Sequence, residues 1–93
     1  MRIEWLPEAE RNLSAQLEWI AKHDPWAAID MGDTIQAAVS RLADYPAIAR
    51  PGRVAGSREL LVVGTPYIVI YRIEASAIVV LRVLHTAQRW PAP

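Results

Sequence analysis

Apolar residues recur every three or four positions through the first half of the chain, a spacing typical of amphipathic helices. A first helix is predicted after Pro7, which suits an opening helical turn, with apolar positions Ala9, Leu13, Leu17 and Ile20. A second is predicted from about Pro25 to Asp44, capped by Asp24, with apolar positions Ala28, Met31, Ile35, Ala38, Val39 and Leu42. Gly32 costs this helix about 1 kcal/mol relative to alanine, so we expect a neighbouring element to pack closely there.

The second half of the chain changes to short runs of β-branched and aromatic residues. The proline- and glycine-rich segment 46–57 is predicted to be a loop, and three strands follow in "RELLVV", "YIVIYRI" and "AIVVLRVL". The short connections "GTP" and "EAS" predict two successive hairpins. "MRIEWL" alternates as a first strand, although periodicity does not specify its neighbour in the sheet. The order β-α-α-β-β-β predicts an α+β fold, with a helical hairpin packed on one face of an antiparallel sheet.

Length and composition fit one small domain. The chain has 93 residues, of which 53% are hydrophobic, and we expect a single domain over 1–93 with an extended tail at 85–93. The absence of cysteine excludes disulfides and thiolate chemistry. No apolar run approaches the roughly 20 residues that cross a bilayer, and the N-terminus has no signal-peptide core. A cytoplasmic protein is therefore expected.

The charges are divided unequally along the chain. Residues 1–49 carry four basic and eight acidic side chains, whereas residues 50–93 carry six arginines and two glutamates. Arginine offers a planar, permanently charged donor fork that suits phosphate and carboxylate. The basic half is consistent with either an anionic partner or a solvated surface.

Metal and cofactor chemistry has little support in this pattern. His23 and His85 stand apart from each other, with no cysteine and no paired-carboxylate spacing, and no glycine-rich phosphate loop is present. His23 lies at a predicted helix end, where a partly charged imidazole complements the helix dipole. We therefore expect no cofactor and no metal.

The end of the last predicted strand, "VLRVLHTAQRWP", gathers an unusual set of side chains. Arg82 and His85 would lie on opposite faces of the sheet unless a bulge intervenes. Arginine with a histidine of near-neutral pKa is suited to steering RNA and moving a proton during cleavage. The spacing alone nevertheless favours the simpler interpretation that these side chains are charges at the end of a strand, exposed to water.

Three segments, "PGR", "GSRELLVVGTPYIVIYRIE" and "VLRVLHTAQRWP", resemble the RelE/ParE superfamily of bacterial type II toxins, and the ParE-like branch in particular. The N-terminal "EWLPEAERNL" fits the family's first strand and helix, except that Leu6 replaces the usual serine or threonine cap. The resemblance implies two helices packed on an antiparallel sheet. It also implies a cytoplasmic toxin that forms a hetero-oligomer with a ParD-like antitoxin, which wraps the toxin and carries the complex to operator DNA.

The resemblance leaves the target open, since ParE-like members typically poison DNA gyrase by binding and RelE-like members cut messenger RNA on the ribosome. The residues that match the nuclease branch are Arg50, Arg53, Arg82 and His85. The second strand has the apolar run 60–63 where that branch places an arginine, with Arg58 some residues early, and the tail has no tyrosine. Loss of a cation beside the scissile phosphate would remove transition-state stabilisation. Gyrase inhibition by binding is therefore favoured over catalysis.

Two sets of contact residues follow from this hypothesis. The predicted target-binding residues are Arg58, Arg72, Arg82, His85, Gln88, Arg89 and Trp90. The predicted antitoxin-binding residues on the helices are Leu13, Leu17, Trp19 and Trp26. The antitoxin is expected to be an amphipathic, acidic segment that folds on binding. A messenger RNA endonuclease and a detoxified co-repressor that only binds antitoxin are the alternatives.

Overall fold

A computed structural model, which describes residues 1–91, contains two helices packed on one face of a five-stranded sheet. The elements are β1 (Arg2–Trp5), α1 (Pro7–Ala21), α2 (Pro25–Arg41), β2 (Arg50–Pro51), β3 (Arg58–Leu61), β4 (Tyr67–Glu74) and β5 (Ala77–His85). This arrangement confirms the predicted α+β fold. The two-residue strand β2 lies within the segment that was predicted to be a loop.

The strands lie in the order β1-β5-β4-β3-β2. The β3–β4 and β4–β5 pairs are antiparallel, which confirms both predicted hairpins, and β2 pairs antiparallel with the start of β3. β1 lies parallel to β5, with Arg2 beside Ala77 and Trp5 beside Val80. The sheet is therefore mixed, and the prediction of a wholly antiparallel sheet was wrong for β1. The helical hairpin between β1 and the later strands forms the crossover that a parallel pair requires.

A β-bulge in β5 determines which side chains face the helices. Tyr71 pairs with Val80 whereas its neighbour Ile70 pairs with Arg82, so Leu81 is the extra residue. We call the face towards α1 and α2 the helical side, and the opposite face the outer side. The bulge places Val80 on the helical side, together with Tyr71, and Arg82 on the outer side, together with Ile70.

The main core lies between the helices and the helical side of the sheet. It joins fully buried helix residues such as Ile35 and Val39 to Tyr71, Val80 and Val83 of the sheet. Close packing at Gly32 is also confirmed, since a Cβ added there would lie 3.2 Å from a terminal carbon of Leu17. The two helices therefore approach each other closely at this point.

The two helices begin differently. Asp24 caps α2 as predicted, because its Oδ1 accepts a hydrogen bond of 3.1 Å from the backbone N–H of Ala27. Leu6 precedes α1 without a side-chain cap, and its own backbone N–H donates to the carbonyl of Val80. Within residues 1–91, no helix combines the length and apolar character needed to cross a membrane.

Candidate functional site

The structure places Arg82 and His85 on opposite faces of the sheet. The bulge at Leu81 precedes both residues, so normal alternation holds between them: Arg82 pairs with Ile70 and His85 with Tyr67. Arg82 consequently lies on the outer side and His85 on the helical side. The four residues that matched a nuclease are not brought into one site.

His85 is held where the end of the sheet meets the helices. Its ring lies edge-on to Tyr67, with 5.6 Å between ring centroids, and its Nδ1 accepts a hydrogen bond of 3.1 Å from the backbone N–H of Ala87. Gln88 fastens the same turn, because its Oε1 accepts hydrogen bonds from the His85 backbone and from Gln16 of α1. A cavity of about 660 Å³ beside the ring is lined mainly by helix and turn residues, including Trp19 and Met31.

The outer side of the sheet carries a second set of residues, which we call the outer cluster: Arg50, Arg53, Glu59, Arg82 and Trp90. Arg50 pairs with Glu59, Glu59 with Ile70 and Ile70 with Arg82, so these positions form one row across four strands. Ile70 is only 1% exposed although it faces away from the helices. The centre of the outer side is therefore shielded from solvent.

Glu59 is the buried charge at the centre of this cluster. Its side chain is 1% exposed and its two carboxylate oxygens accept from the Arg53 backbone N–H at 2.8 Å and from the Arg50 guanidinium at 3.2 Å. The Arg53 guanidinium is a further partner at 3.3 Å. Burial opposes ionisation of the carboxyl, but these hydrogen bonds and both positive charges together outweigh it and lower the pKa of Glu59.

Trp90 joins the C-terminal tail to the outer cluster. Its carbonyl accepts a hydrogen bond of 3.2 Å from Arg53 Nη1, and the guanidinium carbon of Arg82 lies 5.9 Å from its ring centroid. That distance is within the range of a cation–π contact. The buried indole Nε1 has no hydrogen-bond acceptor among residues 1–91.

The remaining predicted target-binding residues are dispersed. Arg58 faces the helical side, beside Tyr71, and donates to the carbonyls of Ala47 and Ala49. Arg72 lies on the outer side but forms an ion pair with Glu74 at 2.9 Å. Arg89 is exposed on the tail. Arg58 therefore does not share a surface with Arg82, contrary to the sequence-based expectation.

An apolar groove runs between α1 and α2. Its apolar walls comprise Leu13, Leu17, Ala21, Pro25, Ala28, Ile29 and Gly32, around a volume of about 660 Å³. Leu13 is itself buried in the core, whereas Ile29 is 54% exposed. The charged residues that line the groove are both acidic, Glu18 from α1 and Asp33 from α2. This rim does not complement the acidic partner expected from the sequence.

Trp19 of α1 and Trp26 of α2 are exposed but do not line the groove. Trp19 is 64% exposed and packs edge-on against His23, with 5.5 Å between ring centroids. Trp26 is 77% exposed at the start of α2. Within the described part of the chain, no group of three or more metal-ligating side chains is placed to hold a metal ion.

The chain is similar to known proteins in both sequence and fold. A family model described as the ParE toxin of the type II toxin–antitoxin system, parDE, matches residues 3–90. The protein called "Putative toxin Y4kP" from Sinorhizobium fredii is 43% identical over 90 residues, covering 97% of this chain and 93% of that protein. Toxin RelE2 from Caulobacter vibrioides is 32% identical over 89 residues, covering 94% of this chain and 97% of that protein.

Two solved structures share the fold. A chromosomal ParDE TA system from P. aeruginosa superposes with a TM-score of 0.83 at 24% identity, covering 91% of this chain and 95% of that one. The toxin–antitoxin complex RelBE2 from Mycobacterium tuberculosis gives a TM-score of 0.61, also at 24% identity, covering 94% of this chain and 92% of that one. At this level of identity, the likeness establishes a common architecture.

Proposed function

The chain belongs to the family of ParE toxins of type II toxin–antitoxin systems, and from this premise we propose that it inhibits DNA gyrase by binding and is neutralised by a ParD-like antitoxin. The toxin would stall gyrase on cleaved DNA without chemistry of its own. The observation that carries the proposal is the separation of Arg82 and His85 on opposite faces of the sheet.

Cleavage by a 2′-hydroxyl needs a proton acceptor within reach of the groups that stabilise the phosphate. His85, the histidine expected to act as that acceptor, lies on the helical side, where its Nδ1 accepts a backbone hydrogen bond. Arg50 and Arg53 engage the buried carboxylate of Glu59. The carboxyl whose pKa Arg82 helps to lower is Glu8, which is itself paired with Arg11 at 2.6 Å. None of these groups is placed as a free base beside Arg82, which supports binding over catalysis.

The proposed target-binding surface is the outer side of the sheet together with the tail. Arg82, Arg89 and Trp90 provide two cations and a large aromatic ring, the residue types that dominate binding energy at protein interfaces. Arg82 forms no ion pair with a carboxylate among the described residues, and its guanidinium is held against the Trp90 ring. An acidic surface of gyrase would complement this pair.

We propose that the antitoxin docks an amphipathic helix in the groove between α1 and α2. The small residues Ala21 and Ala28 leave room for large apolar side chains of a partner, which is how a helix is received in a groove. Because Glu18 and Asp33 lie along the groove, the helix that fits it has lysine or arginine beside its apolar stripe. The complex would then repress its own promoter through the antitoxin.

A supercoiling assay tests the gyrase proposal. Purified toxin is incubated with gyrase, relaxed plasmid and ATP, and the products are scored for lost supercoiling and trapped linear DNA. Inhibition that the antitoxin reverses is expected. A folded and toxic protein that leaves gyrase untouched would refute the proposal.

The second candidate is a ribosome-dependent messenger RNA endonuclease. It is favoured by the convergence of Arg50, Arg53 and Arg82 on one face with an aromatic side chain beside them. Mapping of RNA 5′ ends in a translating extract tests it directly. Cuts that require translation and disappear in Arg82→Ala would establish this activity, and their persistence in His85→Ala would show that His85 is not its base.

A further inference from the structure

Glu59 lies on the outer side of the sheet in β3, between Arg58 and the apolar residues Leu60 and Leu61, and is buried. An unpaired carboxylate in such a position would be strongly unfavourable, so the groups around it are needed to compensate its negative charge. Those groups are Arg50 and Arg53, which together provide two guanidinium contacts and a backbone N–H. Glu59 thus connects β2, β3 and the loop between them.

The loop that presents Arg53 is itself closed by short hydrogen bonds. The Gly52 backbone N–H donates to the Ser57 carbonyl at 2.7 Å, and the Ser57 hydroxyl donates to the Val54 carbonyl at 2.6 Å. A Cβ added at Gly52 would lie 3.1 Å from the Ser57 carbonyl carbon and would collide with its side chain. This closed loop aims the Arg53 backbone N–H at the Glu59 carboxylate.

Arg53 extends the connection from Glu59 to the tail. While its backbone and Nη2 contact Glu59, its Nη1 donates to the Trp90 carbonyl at 3.2 Å. Trp90 in turn lies under the Arg82 guanidinium. A continuous set of contacts therefore runs from the buried carboxylate to the two residues that offer the target a cation and an aromatic ring.

We propose that Glu59 is a positioning residue of the target-binding surface: it orients Arg53, and through Arg53 it holds Trp90 against Arg82 on the outer side of the sheet. This inference rests on the proposed inhibition of gyrase. The sequence gives Glu59 no such role, and the residue need not touch the target itself. Its removal is expected to loosen the tail while leaving the helical groove unchanged.

The test compares Glu59→Gln with Glu10→Gln, the same chemical change at an exposed position on α1 that belongs neither to the outer side nor to the groove. For Glu59→Gln we expect faster amide hydrogen exchange at residues 86–90 and gyrase inhibition weakened by about tenfold, the loss given by a poorly held interface anchor. Antitoxin affinity is expected to stay within about twofold of wild type, since the groove lies on the helices. Glu10→Gln should match wild type in all three measurements.

Arg53→Ala provides a second variant that leaves Glu59 paired with Arg50 and with a backbone N–H. It should reproduce the exchange and inhibition defects, and the double variant should be no worse than either single variant, because both act through one set of contacts. Unchanged tail exchange and inhibition in folded Glu59→Gln and Arg53→Ala would overturn the inference. So would an equal loss of antitoxin binding, which would indicate general unfolding.

The proposed target and this inference fail in distinguishable ways. If wild-type toxin does not inhibit gyrase, the proposed function is wrong, whereas tail exchange still reports on whether Glu59 holds Trp90. If wild-type toxin inhibits gyrase and both variants inhibit equally well with a loosened tail, only the positioning role is wrong.

Discussion

At the scale of single residues, Tyr71 shows how one hydroxyl fixes the connection between helices and sheet. Tyr71 is fully buried in β4, and its hydroxyl donates a hydrogen bond of 2.6 Å to the carbonyl of Pro46 in the segment after α2. Tyr71→Phe removes the donor without creating a large cavity and leaves that carbonyl unpaired. We expect the free energy of unfolding to fall by about 1–3 kcal/mol, measured by urea denaturation.

Tyr67→Phe is the control for this experiment. Tyr67 is almost as buried, on the same side of the same strand, but its hydroxyl has no hydrogen-bond partner within residues 1–91. Its substitution is expected to change stability by less than about 0.5 kcal/mol. Equal losses in the two variants would show that ring contacts, and not the bond to Pro46, account for the effect.

Glu59 makes a residue-scale prediction about acid. Its pKa is lowered from an ordinary value of 4.5, so the folded state favours the carboxylate more than the unfolded chain does. This stabilisation is complete above the unfolded pKa and is lost as the pH falls through the folded pKa. As the pH falls from about 5 to about 3, wild type should therefore lose more of its free energy of unfolding than Glu59→Gln does. This range lies around and below the ordinary pKa of the carboxyl, where the stabilisation is lost.

Urea denaturation at several pH values measures this difference. Glu74→Gln serves as the control for stability, because an exposed ion pair contributes little to stability in water. An acid dependence in Glu59→Gln identical to that of wild type would contradict the prediction. We expect Glu59→Gln to be less stable than wild type at neutral pH, and its free energy of unfolding to change less as the pH falls.

Neighbouring residues show what the sequence could and could not predict at this scale. Arg58 and Glu59 are adjacent, and residue type alone marked the arginine as a binding candidate; the structure turns Arg58 inwards to the carbonyls of Ala47 and Ala49. No role was predicted for Glu59, and its only signal in the sequence is that a glutamate directly precedes an apolar run. A side chain's partners depend on the loop folded against it, which composition does not specify.

At the scale of elements, the caps of the two helices differ in a way that stability measurements can detect. The Asp24 side chain accepts the Ala27 backbone N–H at the start of α2. Asp24→Ala is expected to lower the free energy of unfolding by about 1 kcal/mol, the usual value of an N-cap. Thermal or urea unfolding measures it.

Asp30→Ala is the matched control for the cap. Asp30 is an exposed aspartate in the same helix, beyond its first turn, where no orphan backbone N–H needs an acceptor. It should change stability by less than about 0.5 kcal/mol. A cost at Asp30 as large as that at Asp24 would mean that charge, and not capping, accounts for the result.

Element order and hairpins were predictable because helical periodicity and turn residues are local signals. The parallel pairing of β1 with β5 and the two-residue β2 were not, since both depend on contacts between distant segments. The bulge at Leu81 matters most for the site. Nothing in "AIVVLRVL" shows that Leu81 is the extra residue. This bulge nevertheless determines that Arg82 faces the outer side and His85 the helical side.

At the scale of the whole molecule, the two proposed surfaces differ in charge. The groove carries Glu18 and Asp33, whereas the outer side carries the arginines. Replacing both groove carboxylates by lysine should weaken antitoxin binding by about tenfold or more, with a smaller loss at high salt because ions screen exposed charges. Titration calorimetry at two salt concentrations measures this effect.

A double charge reversal outside the groove controls for net charge. Asp44→Lys with Glu74→Lys makes the same change at exposed positions that do not line the groove. Its antitoxin affinity should remain within about threefold of wild type. Equal losses in both double variants would indicate a general attraction between the proteins, and tighter binding by the groove variant would indicate an acidic partner helix.

The two surfaces also lie on opposite sides of the molecule, whose smallest dimension is 24 Å. A helix that fills only the groove therefore cannot cover Arg82 and Trp90 across the sheet. A peptide containing just the antitoxin's amphipathic helix should bind the toxin yet leave gyrase inhibited, whereas the complete antitoxin should restore supercoiling. The supercoiling assay with saturating peptide measures this directly. If the peptide alone fully reversed gyrase inhibition, the target contact would lie on the helices, beside the groove. The outer side would then have no part in the proposed mechanism.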